Sequence, residues 1–173
     1  MSSYRPAQKW LHWLSALLIL GLFAVGVWMR TLGYYDSWYQ TAPHWHKQFG
    51  MLLLSIMVIR IVWKFIAKSP APLENHKAWE VKSAHLTHYV LYLGVFLIIA
   101  SGYLIATADN RGIEILGWFT VPPLFAAFDG QEDIAGDIHE WGAYILMGFV
   151  ALHVAGALKH HFIDKDTTLK RML

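Results

Sequence analysis

The sequence predicts an all-α fold: an integral membrane four-helix bundle formed by a single domain over residues 1–173, with both termini cytoplasmic. Three observations predict it. Apolar runs recur four times, at Trp10 to Met29, Phe49 to Ile66, Leu86 to Ala106 and Trp141 to Leu158, each near the roughly 20 residues that cross a bilayer as helix. Hydrophobic residues make up 56% of the chain and charged residues only 15%, which is too apolar for an ordinary soluble domain. The charges gather between the runs, whereas a soluble bundle alternates them with apolar faces.

Taken in order, helix one covers about 10–30. Arg5 and Lys9 precede it, but the run is long for a signal peptide and ends in GVWMRTLGYY without a small-residue cleavage site, so it is expected as a mature helix. Helix two covers about 46–67 and is broken by Pro70 and Pro72. Helix three covers about 84–106. The connection after it contains GIEILGWFTVPPLFAAFDGQED, too short and too interrupted by Pro122 and Pro123 to span, and residues about 112–128 are expected as a lid at the outer interface. Helix four covers about 138–160.

Lys and Arg set the orientation. Arg60, Lys64, Lys68, Lys77 and Lys82 surround the second connection, and Lys159, Lys165, Lys170 and Arg171 follow the last run, whereas the first and third connections hold only Arg30, Lys47 and Arg111. By the positive-inside rule the termini and the second connection are cytoplasmic. Basic residues placed beside membrane segments meet lipid headgroups, so the net charge of +2 gives no reason to expect nucleic acid. With no cysteine, the chain can form neither a disulfide nor a thiolate-bound cluster nor a covalent haem attachment.

The histidines carry the chemistry. His139 and His153 are fourteen positions apart in helix four, hence about 40° apart around the helix and about 21 Å apart along it. Topology matches each with a partner at the same depth: His46 with His139 on the outer side, His12 with His153 on the inner side. Two imidazoles from facing helices at one depth suit the axial positions of a b-type haem, and two such pairs suit two stacked haems. Gly50, Gly142 and Gly156 follow His46, His139 and His153 by four, three and three residues, and are expected to leave room for the macrocycle. Packing or proton-relay roles are the alternatives for any single intramembrane histidine. Zinc fits less well, because His139-Glu140 does not continue as H-E-x-x-H. Arg60 repeats the fourteen-residue spacing after His46 and is expected either beside a haem propionate or reaching to lipid phosphates. His44, on the opposite face from His46, is expected as an interfacial side chain or a spare ligand.

The segments KWLHW, HWHKQFG, AHLTHYVLY, DNRG, DIHEWGAYILMGFVALH and HHFIDKDTTLKRML, in this order over essentially the whole chain, resemble the bacterial cytochrome b561 family and, within it, the superoxide oxidase type. The resemblance implies two haems b held by His12, His46, His139 and His153, in the bacterial inner membrane. It also implies electron transfer from superoxide at the outer face to ubiquinone. For such a reaction Lys47 and Arg111 are the expected superoxide-attracting residues, set against Asp109, Glu114, Asp129, Glu132, Asp133 and Asp137 in the same region. Among the inner histidines His85, His88, His160 and His161, the pair His88 and His160 is expected to serve quinone protonation. The rival reading is a haem-bearing subunit of a larger hydrogenase or dehydrogenase complex with a periplasmic redox partner; a haem-free proton-relay bundle is a third. Whether the chain acts as monomer or homodimer is left open by its spacings.

Overall fold

The computed structural model describes residues 3–67 and 70–173; Lys68, one of the basic residues of the second connection, lies outside them. Among the described residues four helices are long and apolar enough to cross a membrane: α1 (Pro6–Met29), α2 (Thr41–Ile66), α3 (Ala78–Ala106) and α4 (Gln131–Phe162). With 24 to 32 residues each, they measure about 36 to 48 Å and exceed the roughly 30 Å hydrocarbon layer. They therefore outrun the apolar runs. α2, α3 and α4 begin five to seven residues before the expected starts, because polar residues in the headgroup zone still gain backbone hydrogen bonds by continuing a helix.

Local chemistry sets the ends. Pro6, whose missing N–H costs nothing in the first turn, opens α1, and the Arg5 amide donates to Gln8 Oε1 at 3.0 Å. The Lys77 amide donates to Glu80 Oε2 at 2.9 Å before α3. Gly130, with φ of 75°, supplies the left-handed turn into α4. Glu132 and Asp133 in the first turn of α4 and Lys159, His160 and His161 in the last complement its dipole.

α1 packs most closely on α2 and α3 on α4, with a lighter α2–α3 contact. Between the pairs, Leu53, Met57, Val95 and Leu146 form a buried apolar layer. Leu53 lies seven residues after His46 and seven before Arg60, and Leu146 lies seven from both His139 and His153. The layer therefore sits at mid-depth, with one histidine pair on either side. Large apolar side chains facing outward, such as Leu17, Val62, Leu97 and Leu152, are suited to lipid contact.

The third connection differs in form from the expected interfacial patch. Residues Ile113–Ile115 (β1) and Phe119–Val121 (β2) pair antiparallel, Ile113 opposite Val121. The Trp118 amide closes the turn on the Ile115 carbonyl at 2.9 Å, with φ of 49° at Leu116 and 74° at Gly117, the positive values that a type I′ hairpin turn needs. Pairing satisfies backbone groups that an irregular apolar segment would leave bare at the membrane surface. Gln48 of α2 clamps the hairpin: its Nε2 donates to the Glu114 carbonyl at 2.7 Å and its Oε1 accepts from the Leu116 amide at 3.2 Å.

At the opposite end the carboxyl segment closes over the amino end. Lys9 Nζ donates to the Leu173 oxygen and Trp13 Nε1 to the Met172 carbonyl, both at 2.9 Å, and an Arg171 NH2 donates to the Ala71 carbonyl at 2.9 Å.

Gln48 is 7% exposed, so Gln48→Ala removes two part-buried hydrogen bonds, a loss of about 1–3 kcal/mol. Limited proteolysis in detergent should show faster cleavage within 113–121 than in the parent protein. Equal cleavage would contradict the clamp.

Candidate functional site

On the outer side of the apolar layer, His46 of α2 faces His139 of α4 with ring centres 6.1 Å apart and planes at 73°. Each ring is seated against a glycine of a third helix. A Cβ on Gly26 of α1 would lie 3.4 Å from His46 Cε1, and a Cβ on Gly102 of α3 would lie 2.9 Å from His139 Cε1. His139 Nδ1 lies 2.9 Å from the Ile98 carbonyl and 3.2 Å from Ser101 Oγ. Donation to that carbonyl places the proton on Nδ1 and leaves Nε2 with its lone pair, the tautomer a metal needs. His46 Nδ1 is buried without a partner among the described residues.

A cavity of about 770 Å³ opens beside this pair, lined by His46, His139, Gly26, Gly50 and Gly102 and reaching Lys47 at its outer edge. Its volume lies within the roughly 300–1,000 Å³ of cofactor sites. Of the three glycines expected to open the space, Gly50 lines the cavity, while a Cβ on Gly142 would meet Ile98 at 3.5 Å. Gly142 therefore serves the α3–α4 contact. A Cβ on Gly156 would meet nothing within 4 Å.

The cavity edge is more acidic than basic. Arg30 is paired with Glu140, and Arg111 Nε donates to Asp109 Oδ2 at 2.6 Å. The Arg111 amide and guanidinium hold the Asp109 carboxyl below the usual range. Lys47 makes no ion pair among the described residues, and neither do Glu132, Asp133 and Asp137, which also line the cavity. Lys47 and Arg111 therefore differ: the first is an exposed free cation, the second is neutralised by its neighbour.

On the inner side every helix contributes one polar group. His12 of α1 faces His153 of α4 with ring centres 6.2 Å apart and planes at 64°. His88 of α3 lies 5.3 Å from His153 by ring centres. Arg60 of α2 points into the bundle, hydrogen-bonded to fully buried Ser15, with its NH2 group 3.4 Å from His12 Nδ1 and its carbon 5.3 Å from the centre of the Tyr92 ring. It does not extend to lipid phosphates.

His88 and His160, both expected at a quinone site, make different contacts. His160 lies seven residues beyond His153, about 10 Å further along α4, and engages a different group. Its Nδ1 is 2.8 Å from Asp164 Oδ2 and 3.1 Å from Asp166 Oδ2, and the same Asp166 oxygen is 3.1 Å from His76 Nε2. Partial burial alone would raise the Asp166 pKa, but the amide and hydroxyl of Thr168, with His76 and His160, hold it at about 2. His76 and Asp166 escaped the sequence reading because they lie ninety positions apart, joined only by the fold. Gly26, Gly102 and Ser101 escaped it because each acts on a histidine of another helix.

Two imidazole–metal bonds of about 2 Å, with the half-widths of the rings, sum to about 6 Å between ring centres, the separation found in both pairs. The outer pair meets this test with a free Nε2 and an adjoining cavity. The inner pair meets it in spacing. Ligation there through His12 Nε2 would place the proton on Nδ1, so the Arg60 group that now donates to Nδ1 must turn away.

Paired imidazoles across the interior of a four-helix membrane bundle define a class, the haem-binding membrane cytochromes. The chain belongs to the prokaryotic cytochrome b561 family, whose model, described as Prokaryotic cytochrome b561, matches residues 3–173. It is 49% identical over 162 residues to Cytochrome b561 homolog 2 of Escherichia coli (strain K12), covering 94% of this chain and 86% of that protein. It is 28% identical to Cytochrome b561 homolog 1 of the same organism, covering 100% of this chain and 98% of the relative. A protein of Yersinia pestis named Probable superoxide oxidase CybB is 27% identical over 98% of this chain and 95% of its own length. The chain is thus a multi-pass bacterial inner-membrane protein of haem b-dependent electron transfer.

Gly102→Val should push the His139 ring from its seat and lower haem bound per chain, read as haem absorbance against protein in the purified variant. Haem content equal to that of the parent protein would show that the glycine seat does not matter.

Proposed function

We propose that the chain binds two haems b, one between His46 and His139 and one between His12 and His153, and moves electrons from a one-electron donor at the outer face to ubiquinone in the membrane. The observation that carries this reading is the repeated 6 Å imidazole pairing, 6.1 Å outside and 6.2 Å inside, on either side of one apolar layer. A bis-imidazole haem takes up and releases one electron at a time, which suits a single-electron donor joined to a two-electron quinone. The basic second connection and termini mark the inner end as cytoplasmic.

The chain's own residues divide the work. His46 and His139 bracket the cavity that opens outward, and Lys47 is the free cation at its edge. A lone ammonium there draws a small anion, which supports superoxide as donor; the relative from Yersinia pestis named as a probable superoxide oxidase supports the same choice. Arg111, bound to Asp109, contributes less. At the inner pair Arg60 keeps a positive charge beside His12, and the position of His88 beside His153 supports its role as a proton donor to reduced quinone. Ser15, wholly buried, accepts from the other terminal nitrogen of Arg60 and keeps the guanidinium within the bundle. A second reading rests on Glu132, Asp133 and Asp137: three unpaired carboxylates at the cavity favour a donor protein with a basic surface.

A superoxide pulse delivered to oxidised protein in detergent with ubiquinone separates the two readings. Superoxide should reduce the haems rapidly, seen as the ferrous spectrum, with a rate that falls several-fold in Lys47→Glu and with rising salt. Reoxidation by quinone should slow in His88→Gln while haem content stays unchanged. Haems reduced by dithionite but untouched by superoxide would remove superoxide as donor and leave the basic protein.

A further inference from the structure

The inner end of the molecule holds a second cluster of ligating side chains, separate from both histidine pairs. His76 comes from the second connection, His160 from the last turn of α4 and Asp166 from the carboxyl segment. From these we infer that His76, His160 and Asp166 form a binding site for a divalent first-row metal ion of the zinc type.

Three observations carry the inference. The first is convergence: the ligating atoms of the three residues all lie within 4.8 Å of one another. His76 Nε2 and His160 Nδ1 each stand 3.1 Å from the same oxygen, Asp166 Oδ2, near the edge of about 3.3 Å expected between ligands in a tetrahedron with bonds of about 2.0–2.1 Å. The imidazole rings lie 4.6 Å apart by centres, tilted by 34°, so both present nitrogen edges to one point.

The second is preorganisation. The Thr168 amide donates to Asp166 Oδ1 at 2.8 Å, which fixes the carboxylate and leaves Oδ2 for the ion. The side chains of Asp166 and His76 are 6% and 13% exposed, and that of His160 is 16% exposed. Ligands held in place beforehand lose little freedom when the ion enters, and half-buried ones are poorly served by water.

The third is charge and ligand type. Among the described residues the connected cluster holds three carboxylates, Glu80, Asp164 and Asp166, and one ammonium, Lys159, which lies 2.5 Å from Glu80 Oε1 and 2.7 Å from Asp164 Oδ2. A dication matches that surplus of negative charge. Two imidazoles with one carboxylate select zinc-type ions over calcium or magnesium, which take oxygen ligands. Asp164 lies 2.8 Å from the same His160 nitrogen. The bound ion would join the second connection, the end of α4 and the carboxyl segment at one point.

The test uses the full-length haem-loaded protein without an affinity tag, cleared of metal by a chelator and then given zinc sulfate. One zinc per chain should survive gel filtration, measured by elemental mass spectrometry. The zinc X-ray absorption edge, which haem iron does not share, should report two imidazole ligands with oxygen. His76→Ala and Asp166→Asn should each weaken zinc binding at least tenfold with the haem spectrum unchanged, while His44→Ala, at the outer end, should leave it intact. Wild-type protein that retains no zinc, or retains it without imidazole ligation, would overturn the site. Retention unaffected by both cluster variants would do the same.

Discussion

A membrane bundle must place every ionisable side chain of its interior against another polar group, because hydrocarbon offers none. That constraint shapes this molecule more than helix propensity or core packing does. His12, Arg60, His88 and His153 meet at the inner depth, one from each helix, and His46 and His139 meet at the outer depth. The imidazoles face each other at about 6 Å; Gly102 supplies room where any side chain would strike His139, and Gly26 lets α1 lie against His46.

The apolar layer of Leu53, Met57, Val95 and Leu146 gives this arrangement its second property. It lies midway between the two polar depths and keeps them separate. In the proposed reading electrons cross this layer between two haems, and its four buried side chains offer no hydrogen-bonding path to protons. The outer depth opens into a cavity edged by Lys47 and by acids, and at the inner depth His88 lies against His153. The two ends are closed differently: a hairpin clamped by Gln48 outside, and a carboxyl segment tied to Lys9, Trp13 and Ala71 inside.

Much of this could be read along the chain because helical period and depth are one-dimensional properties. Fourteen residues between His139 and His153, and between His46 and Arg60, announce shared faces at two depths. The family too was legible, from motifs such as HWHKQFG and DIHEWGAYILMGFVALH. What escaped depends on contacts between distant segments. Nothing near Gly102 in sequence marks it as the seat of His139, and Gly142, three residues after His139, turned out to meet Ile98. The hairpin was hidden by Leu116, a residue that seldom adopts positive φ. The contact of His160 with Asp166 was hidden because it forms only when the carboxyl segment, turning at Lys165 with φ of 54°, comes back to α4.

The central claim is that each imidazole pair holds one haem. Quantifying haem per chain, with electron paramagnetic resonance of the oxidised protein, tests it most directly. Imidazole planes at 64° and 73° predict two haems per chain, both low-spin with strongly anisotropic signals. One haem per chain, or a high-spin signal from an iron lacking a second imidazole, would contradict the account.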